Sequence, residues 1–297
     1  PKDGKTAWIV STDSLVEDVH FLRNKITPFD LGFKSIAVNA SDIAAMGGSP
    51  KYVFTTVAFP KNLEMRWINN FLKGIESACK ENSLHLLGGD TTGSKQSIFI
   101  SVTIIGEGQK DCIKYRSKAK RGDLICLTGN IGDSAAGLAA SLGKKKLSVD
   151  LQKLSTKHYR PTARVQEGIW LGKQKAVNAM IDLSDGLDSD LQQILKASHK
   201  SADVDLELIP LSTALFQFCK QNAKSPLRFA LFGGEDYELL FTVNPLTFDT
   251  LKKNFRKTFK QDIYPIGYIK EGSPTIRYLN NNRNHKIKGH AFNHFQP

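Results

Sequence analysis

No two cysteines in this chain form a C-x-x-C pair, and none has a pair of histidines nearby. Cys79, Cys112, Cys126 and Cys219 are scattered over 297 residues, which excludes a legible zinc motif or disulfide framework and points to a reducing, cytoplasmic setting. Long apolar runs are lacking too. Those around Ile100 and Leu239 are strand-sized, so no membrane-spanning helix is expected. The opening Pro1-Lys2-Asp3-Gly4 has no secretory apolar stretch. A GxxxxGK[ST] loop is absent, as is the kinase-type glycine loop with its catalytic partners, which sets aside Walker-type NTPases and protein kinases. Gly129-Asn130-Ile131-Gly132 lacks the third glycine of a dinucleotide fingerprint. A tight structural turn is expected there, although its amides could face an anion.

Charge is present in excess. Lys and Arg number 41 against 29 Asp and Glu, a formal charge of +12. Runs such as Lys144-Lys145-Lys146 could meet phosphates, but the basic residues are spread out without interleaved aromatics. A solvated basic face that attracts small anions is the better reading than a nucleic-acid interface. With 40% hydrophobic residues the composition is that of a globular protein, and the length suits two domains. The expected division is residues 1–109 and 110–297, each α/β (of α+β type).

Along the chain, Thr6 to Thr12 and Tyr52 to Phe59 read as strands. Between them Phe33, Ile36, Ala37, Ala40, Ile43 and Ala44 recur at helical spacing until Gly47-Gly48, which places Ser35, Asn39 and Asp42 on the other face. A helix over Leu63 to Ala78 has Trp67, Phe71 and Ile75 on a core stripe. Leu84 to Leu87 and Ile98 to Ile105 predict buried strands, the first ending in Gly88-Gly89-Asp90. Gly106 to Gly122 reads as a connector. Beyond it, strands are expected at Asp123 to Leu127, Ala179 to Leu183, Val204 to Ile209 and Leu239 to Val243, with helices at Asp133 to Leu142 and Ser189 to Ser198.

Five acidic turns stand out: Ser11-Thr12-Asp13, Ser41-Asp42, Gly88-Gly89-Asp90, Asp182-Leu183-Ser184-Asp185-Gly186 and Gly233-Gly234-Glu235-Asp236. In open α/β sheets ligands bind beyond the strands' carboxyl ends, so several could share a pocket. Carboxylates gathered in a cleft need neutralising, and magnesium accepts oxygen ligands from Asp, Ser and Thr while usually sharing them with nucleotide phosphates. The alternative for any single site is an Asx-turn or helix cap, such as Asp185 capping the next helix or Asp13 ending its strand.

In order and spacing these stretches resemble the thiamine-monophosphate kinase family. The resemblance runs from Ser11-Thr12-Asp13-Ser14-Leu15-Val16-Glu17-Asp18-Val19-His20-Phe21 through Asn39-Ala40-Ser41-Asp42-Ile43-Ala44-Ala45-Met46-Gly47 and Leu87-Gly88-Gly89-Asp90-Thr91-Thr92 to the last two acidic turns, extended to Leu239. It implies a two-domain aminoimidazole ribonucleotide synthetase-like fold, with the N-terminal sheet pairing across a homodimer. It implies that Ser11, Thr12, Asp13, Asp42, Asp90, Asp182 and Asp185 ligate several magnesium ions, with potassium a further candidate. Asp42, Asp90 and Asp185 form the catalytic set. Gly89, Asp90, Arg116 and Ser184 would contact ATP, Arg116 offering a planar fork suited to phosphate. His20, Glu235 and Phe292 would contact thiamine monophosphate, Phe292 by stacking on its cationic ring. The alternatives are packing for His20, a hydrophobic plug for Phe292 and a solvated linker for Arg116.

A phosphate acceptor already carries an anionic oxygen at neutral pH, since its second pKa is about 6, so no protein base is required and transfer is expected to be direct. The family normally carries a Gly-Asp-Asp turn before the first strand here, which leaves one metal ligand outside this sequence. It also commonly has Gly where Asp18 stands. The competing expectations are another ATP-dependent member of the superfamily, such as an aminoimidazole ribonucleotide or selenophosphate synthetase-like enzyme, and a non-catalytic nucleotide-binding dimer.

Overall fold

A computed structural model describes residues 4–143, 149–281, 283–287 and 289. It forms two compact units, Pro1–Ile113 with Tyr159–Trp170, and Lys114–His158 with Leu171–Pro297. The strand ending at Gln109 is followed by a short turn, Lys110–Cys112, and the buried Ile113.

The first unit holds β1 (Thr6–Val16), α1 (Pro28–Ala45), β2 (Ser49–Pro60), α2 (Met65–Glu81), β3 (His85–Ser94) and β4 (Phe99–Gln109). Its sheet runs β1-β4-β2-β3. β4 is antiparallel to both β1 and β2, and β2 is parallel to β3. α1 begins at Pro28, with the Thr27 hydroxyl accepting from Asp30 N–H at 3.1 Å. Its apolar face and its polar face are both covered, since Ser35 and Asn39 are as buried as Ile36 and Ile43. α1 and α2 meet at glycines. A Cβ on Gly32 would stand 2.0 Å from Phe71 O, and one on Gly74 2.0 Å from Phe29 O. The α2 stripe is core as expected: Phe71 and Ile75 are buried, and Trp67 stacks on Phe71 with the ring centroids 5.8 Å apart.

Two strands differ from the sequence reading. β1 runs on to Val16, so Asp13 sits inside the ladder opposite Val102 rather than ending the strand. β3 continues through Gly88-Gly89-Asp90 to Ser94, and Leu86 and Leu87 are exposed rather than buried. Both are edge strands, where side chains on two faces meet solvent; apolar composition alone cannot separate that from a central position.

The second unit takes in β5 (Leu124–Leu127), α3 (Asp133–Leu142), α4 (Val149–Tyr159), α5 (Val165–Gly172), β6 (Val177–Asp182), α6 (Leu187–Ser198), β7 (Ser201–Asp205), α7 (Thr213–Gln221), α8 (Pro226–Phe232), β8 (Leu239–Val243), α9 (Phe248–Phe259), β9 (Tyr264–Lys270), β10 (Ile276–Asn280) and β11 (Arg283–Asn284). Tyr159 of α4 and the first six residues of α5 pack with the first unit instead. The sheet order is β11-β10-β7-β9-β5-β8-β6. Its pairs are antiparallel except β7 with β10. An all-parallel open sheet with one crevice at its carboxyl ends is therefore not the architecture. What brings acidic turns together is hairpin-like pairing.

Candidate functional site

In the first unit Ser11, from β1, donates its hydroxyl to the Asp42 carboxylate on α1. The helix that looked amphipathic from its apolar spacing thus places Asp42 against the sheet. Neighbouring Thr12 points to the other face and donates to Val102 O at 3.1 Å. Asp13 is exposed. Gly89 and Asp90 lie on β3, opposite Thr55 and Thr56 of β2. A Cβ on Gly89 would stand 1.8 Å from Thr55 O. β1 and β3 are opposite edges of the sheet, three strand spacings or about 14 Å apart. Asp13 and Asp90 therefore belong to separate parts of this unit's surface.

His20 lies in the loop after β1, where its Nδ1 accepts the Val16 N–H at 3.0 Å. That bond fixes Nδ1 as acceptor and leaves the proton on Nε2. The loop turns at Asp18, whose φ is +66°. This left-handed conformation is one that Gly adopts without penalty, and Asp is among the few other residues that adopt it readily.

In the second unit Asp182, the last residue of β6, pairs with Leu239 at the start of β8. The ladder continues past both strands. Leu183 N–H donates to Glu238 O at 2.9 Å, Tyr237 N–H to Leu183 O at 2.9 Å, and Glu235 N–H to Ser184 O at 2.8 Å. Gly234 permits this approach, because a Cβ there would lie 2.3 Å from Ser184 O. The two acidic motifs, more than forty residues apart in sequence, are one structural element.

Within it, Asp182 is buried and Asp185 exposed. The backbone bonds expected of a capping Asp185 are made instead by Asp190, which accepts the N–H groups of Asp185 at 3.0 Å and Gly186 at 3.1 Å. Sequence reasoning missed Asp190. Its signal is an acid in the first turn of α6, positioned to reach back over the glycine. Burial pushes the Asp190 carboxyl up to about 8, and the Asp182 and Asp185 charges add to the rise, against the two amide bonds.

Two buried acids of the 233–238 segment also have partners. Asp236 accepts from Gly132 N–H at 2.6 Å and Ser134 N–H at 3.0 Å. The last amide of the Gly129-to-Gly132 turn and one from the start of α3 thus meet a carboxyl group, and that group is the protein's own. Glu238 accepts from the Thr128 hydroxyl at 2.8 Å, and its carboxyl leaves no room for a Cβ on Gly129. Glu235, partly exposed, has its Oε2 3.0 Å from His158 Nδ1. Arg116 lies in a short 3₁₀ turn with its side chain exposed, and its carbonyl accepts the Ser198 hydroxyl at 2.7 Å. Phe292 lies outside the described residues.

Among the described residues no group of three or more His, Cys, Asp or Glu is arranged to hold a metal ion. The donor chemistry nonetheless suits a hard cation. Asp42 with Ser11, and Asp182 with Asp185, offer oxygen donors only. The like-charge repulsion that helps raise Asp190 is what a cation would relieve.

Residues 2–107 match the model of the AIR synthase related protein N-terminal domain, and residues 120–279 that of its C-terminal domain. The thiamine-monophosphate kinase of Buchnera aphidicola subsp. Schizaphis graminum is 41% identical over 305 residues, covering 99% of this chain and 88% of the relative. That of Haemophilus influenzae is 39% identical over 291 residues, covering 97% and 86%. Among solved structures, AaThiL complexed with AMPPCP and TMP superposes with a TM-score of 0.86 at 34% identity, covering 98% of this chain and 88% of that one.

Proposed function

The chain belongs to the AIR synthase related family and, within it, to the thiamine-monophosphate kinases, and we propose on that footing that it phosphorylates thiamine monophosphate with ATP to give thiamine diphosphate. The observation that carries this reading is likeness to those kinases over nearly the whole chain, including a structure that holds an ATP analogue and TMP together.

Transfer goes directly from ATP to the acceptor phosphate, whose own anionic oxygen attacks in line. No side chain need remove a proton, so the protein's task is to orient two anionic partners and balance their charge. Ser11, Thr12, Asp13, Asp42 and Asp90 in the first unit, and Asp182 and Asp185 in the second, would hold magnesium. When bound, several such ions would screen the phosphates and the charge of the transferring group. Ser11 orients the Asp42 carboxylate. Asp190 braces the backbone at Asp185 and Gly186, so that Asp185 projects outward. Gly89, Asp90 and Ser184 would contact ATP, and the exposed Arg116 would offer its guanidinium to phosphate. His20 and Glu235 contact thiamine monophosphate.

The first unit also has an apolar face. α1 and α2 cover one side of its sheet, while Trp8, Val10, Tyr52 and Phe54 stand exposed. Pairing of this sheet in a homodimer would bury them. Among the described residues no helix is long and apolar enough to cross a membrane, and all four cysteines are free, in keeping with a cytoplasmic enzyme.

The test is magnesium- and ATP-dependent formation of thiamine diphosphate, followed by chromatography, with the parent beside Asp42→Asn. The parent converts thiamine monophosphate and the folded variant loses activity by about a hundredfold or more. No conversion by the folded parent would overturn the reading.

A further inference from the structure

Two consecutive side chains near the end of α4 reach the 235–238 segment. Lys157 Nζ lies 3.8 Å from Glu238 Oε1, and His158 Nδ1 lies 3.0 Å from Glu235 Oε2. His158 is only 3% exposed, and the Ser134 hydroxyl at the start of α3 is 3.1 Å from the same nitrogen. A carboxylate can only accept, so Nδ1 carries the proton toward Glu235.

The segment needs such fixing. Glu235 has φ +68° and Tyr237 φ +51°, left-handed conformations that non-glycine residues hold only when their surroundings over-determine them. The bonds to Ser184 and Leu183 fix the main chain. The Glu235 side chain is held beyond its main chain by His158, whose Nδ1 lies 3.0 Å from its carboxylate. Neither the acidic-turn pattern nor the family resemblance pointed to His158.

We propose that His158 is a positioning residue for thiamine monophosphate: it holds the Glu235 carboxylate in the orientation that meets the cationic, amine-bearing ring end of the substrate. The chemistry suits that end, because a carboxylate attracts a thiazolium and accepts from an amino group but repels phosphate. The inference rests on the reading of Glu235 as a substrate contact.

Initial rates with thiamine monophosphate varied at saturating ATP separate the possibilities. His158→Ala is expected to raise KM for thiamine monophosphate about tenfold, with kcat and the KM for ATP nearly unchanged. His158→Asn places an amide N–H near the Nδ1 position and recovers most of the loss. Glu235→Ala raises the same KM at least as much, and the double variant is no worse than Glu235→Ala alone. If Glu235→Ala moves KM but His158→Ala does not, or if the two effects multiply, the inference falls and the reading of Glu235 stands. If Glu235→Ala leaves KM unmoved, that reading fails and takes the inference with it. Should His158→Ala not fold, His158→Gln, which displaces the donor at similar volume, serves as the disabling variant.

Discussion

Asp236 Oδ1 accepts the backbone N–H of Ser134 at 3.0 Å, so the N-terminus of α3 is closed by a buried carboxylate from a segment a hundred residues away. With Gly132 N–H on the other oxygen at 2.6 Å, two amide groups that open a helix are satisfied internally.

This arrangement carries a pH dependence. Burial pushes the Asp236 carboxyl up to about 7, helped by Asp133 and Glu238 and opposed by the two amide bonds. The folded state therefore keeps a proton that the unfolded chain loses near its ordinary value of about 4. The resulting stability is fully present below pH ~4 and is lost as pH rises through ~7. Asp236→Asn should flatten the fall of melting temperature between pH 4.5 and 7.5, the parent losing on the order of a few kcal/mol more than the variant across that window. Scanning fluorimetry at closely spaced pH values checks it, and parallel profiles would count against it.

The crossing of α1 and α2 gives a prediction of opposite sign to helix propensity. Gly to Ala inside a helix ordinarily gains about 0.5–1 kcal/mol. At Gly74 the added methyl would lie 2.0 Å from Phe29 O, and backbone cannot step aside as a side chain can. Gly74→Ala should cost roughly 1–3 kcal/mol or more in urea denaturation. Because α1 carries Asp42, activity should fall with it. A more stable variant would show that the helices can separate without penalty.

Some of this was legible in sequence. The glycine stop set the end of α1 within a residue or two, and Asp133–Leu142 was readable as a helix because Gly132 and Asp133 mark its start. The acidic motifs stood out as candidates because Asp beside Ser and Gly is distinctive. What sequence hid was partnership. Nothing in Gly129-Asn130-Ile131-Gly132 reveals that Asp236 and Glu238 fill it, and nothing in β3 reveals that Asp90 lies on the edge opposite Asp13. Pairing order is set by contacts distant in sequence, whereas periodicity reports only local ones. Asp190 and His158 escaped for a similar reason: each is an ordinary helix residue until its partner is placed beside it.

The crowding of Asp182, Asp185 and Asp190 predicts a response to magnesium without nucleotide. Burial and its two neighbours hold the Asp190 carboxyl near 8, and a divalent cation would lower that electrostatic cost. Ligands that bind only the folded state stabilise it by about 2.7 kcal/mol at a hundred times Kd. Millimolar magnesium should therefore raise the parent's melting temperature by about 2–4 °C or more, and Asp185→Asn should lose at least half of that rise. An equal rise in both would remove Asp185 from the ligand set.

The uncovered sheet face predicts the oligomeric state. Trp8 and Val10 are 51% and 63% exposed, and Tyr52 and Phe54 are 36% and 38% exposed. Their strands β1 and β2 both flank β4, so the four side chains belong to one sheet rather than to scattered sites. A monomer that left such a face in water would be prone to association, whereas a second copy can bury it symmetrically. Sedimentation at micromolar concentration should return about twice the 32.9 kDa chain mass. Phe54→Lys should shift the protein toward the single-chain mass while keeping its helical circular dichroism, since the substitution places an unpaired charge in the buried face without touching the α1 and α2 side. A parent that sediments as one chain would remove the dimer, and the apolar face would then need another cover.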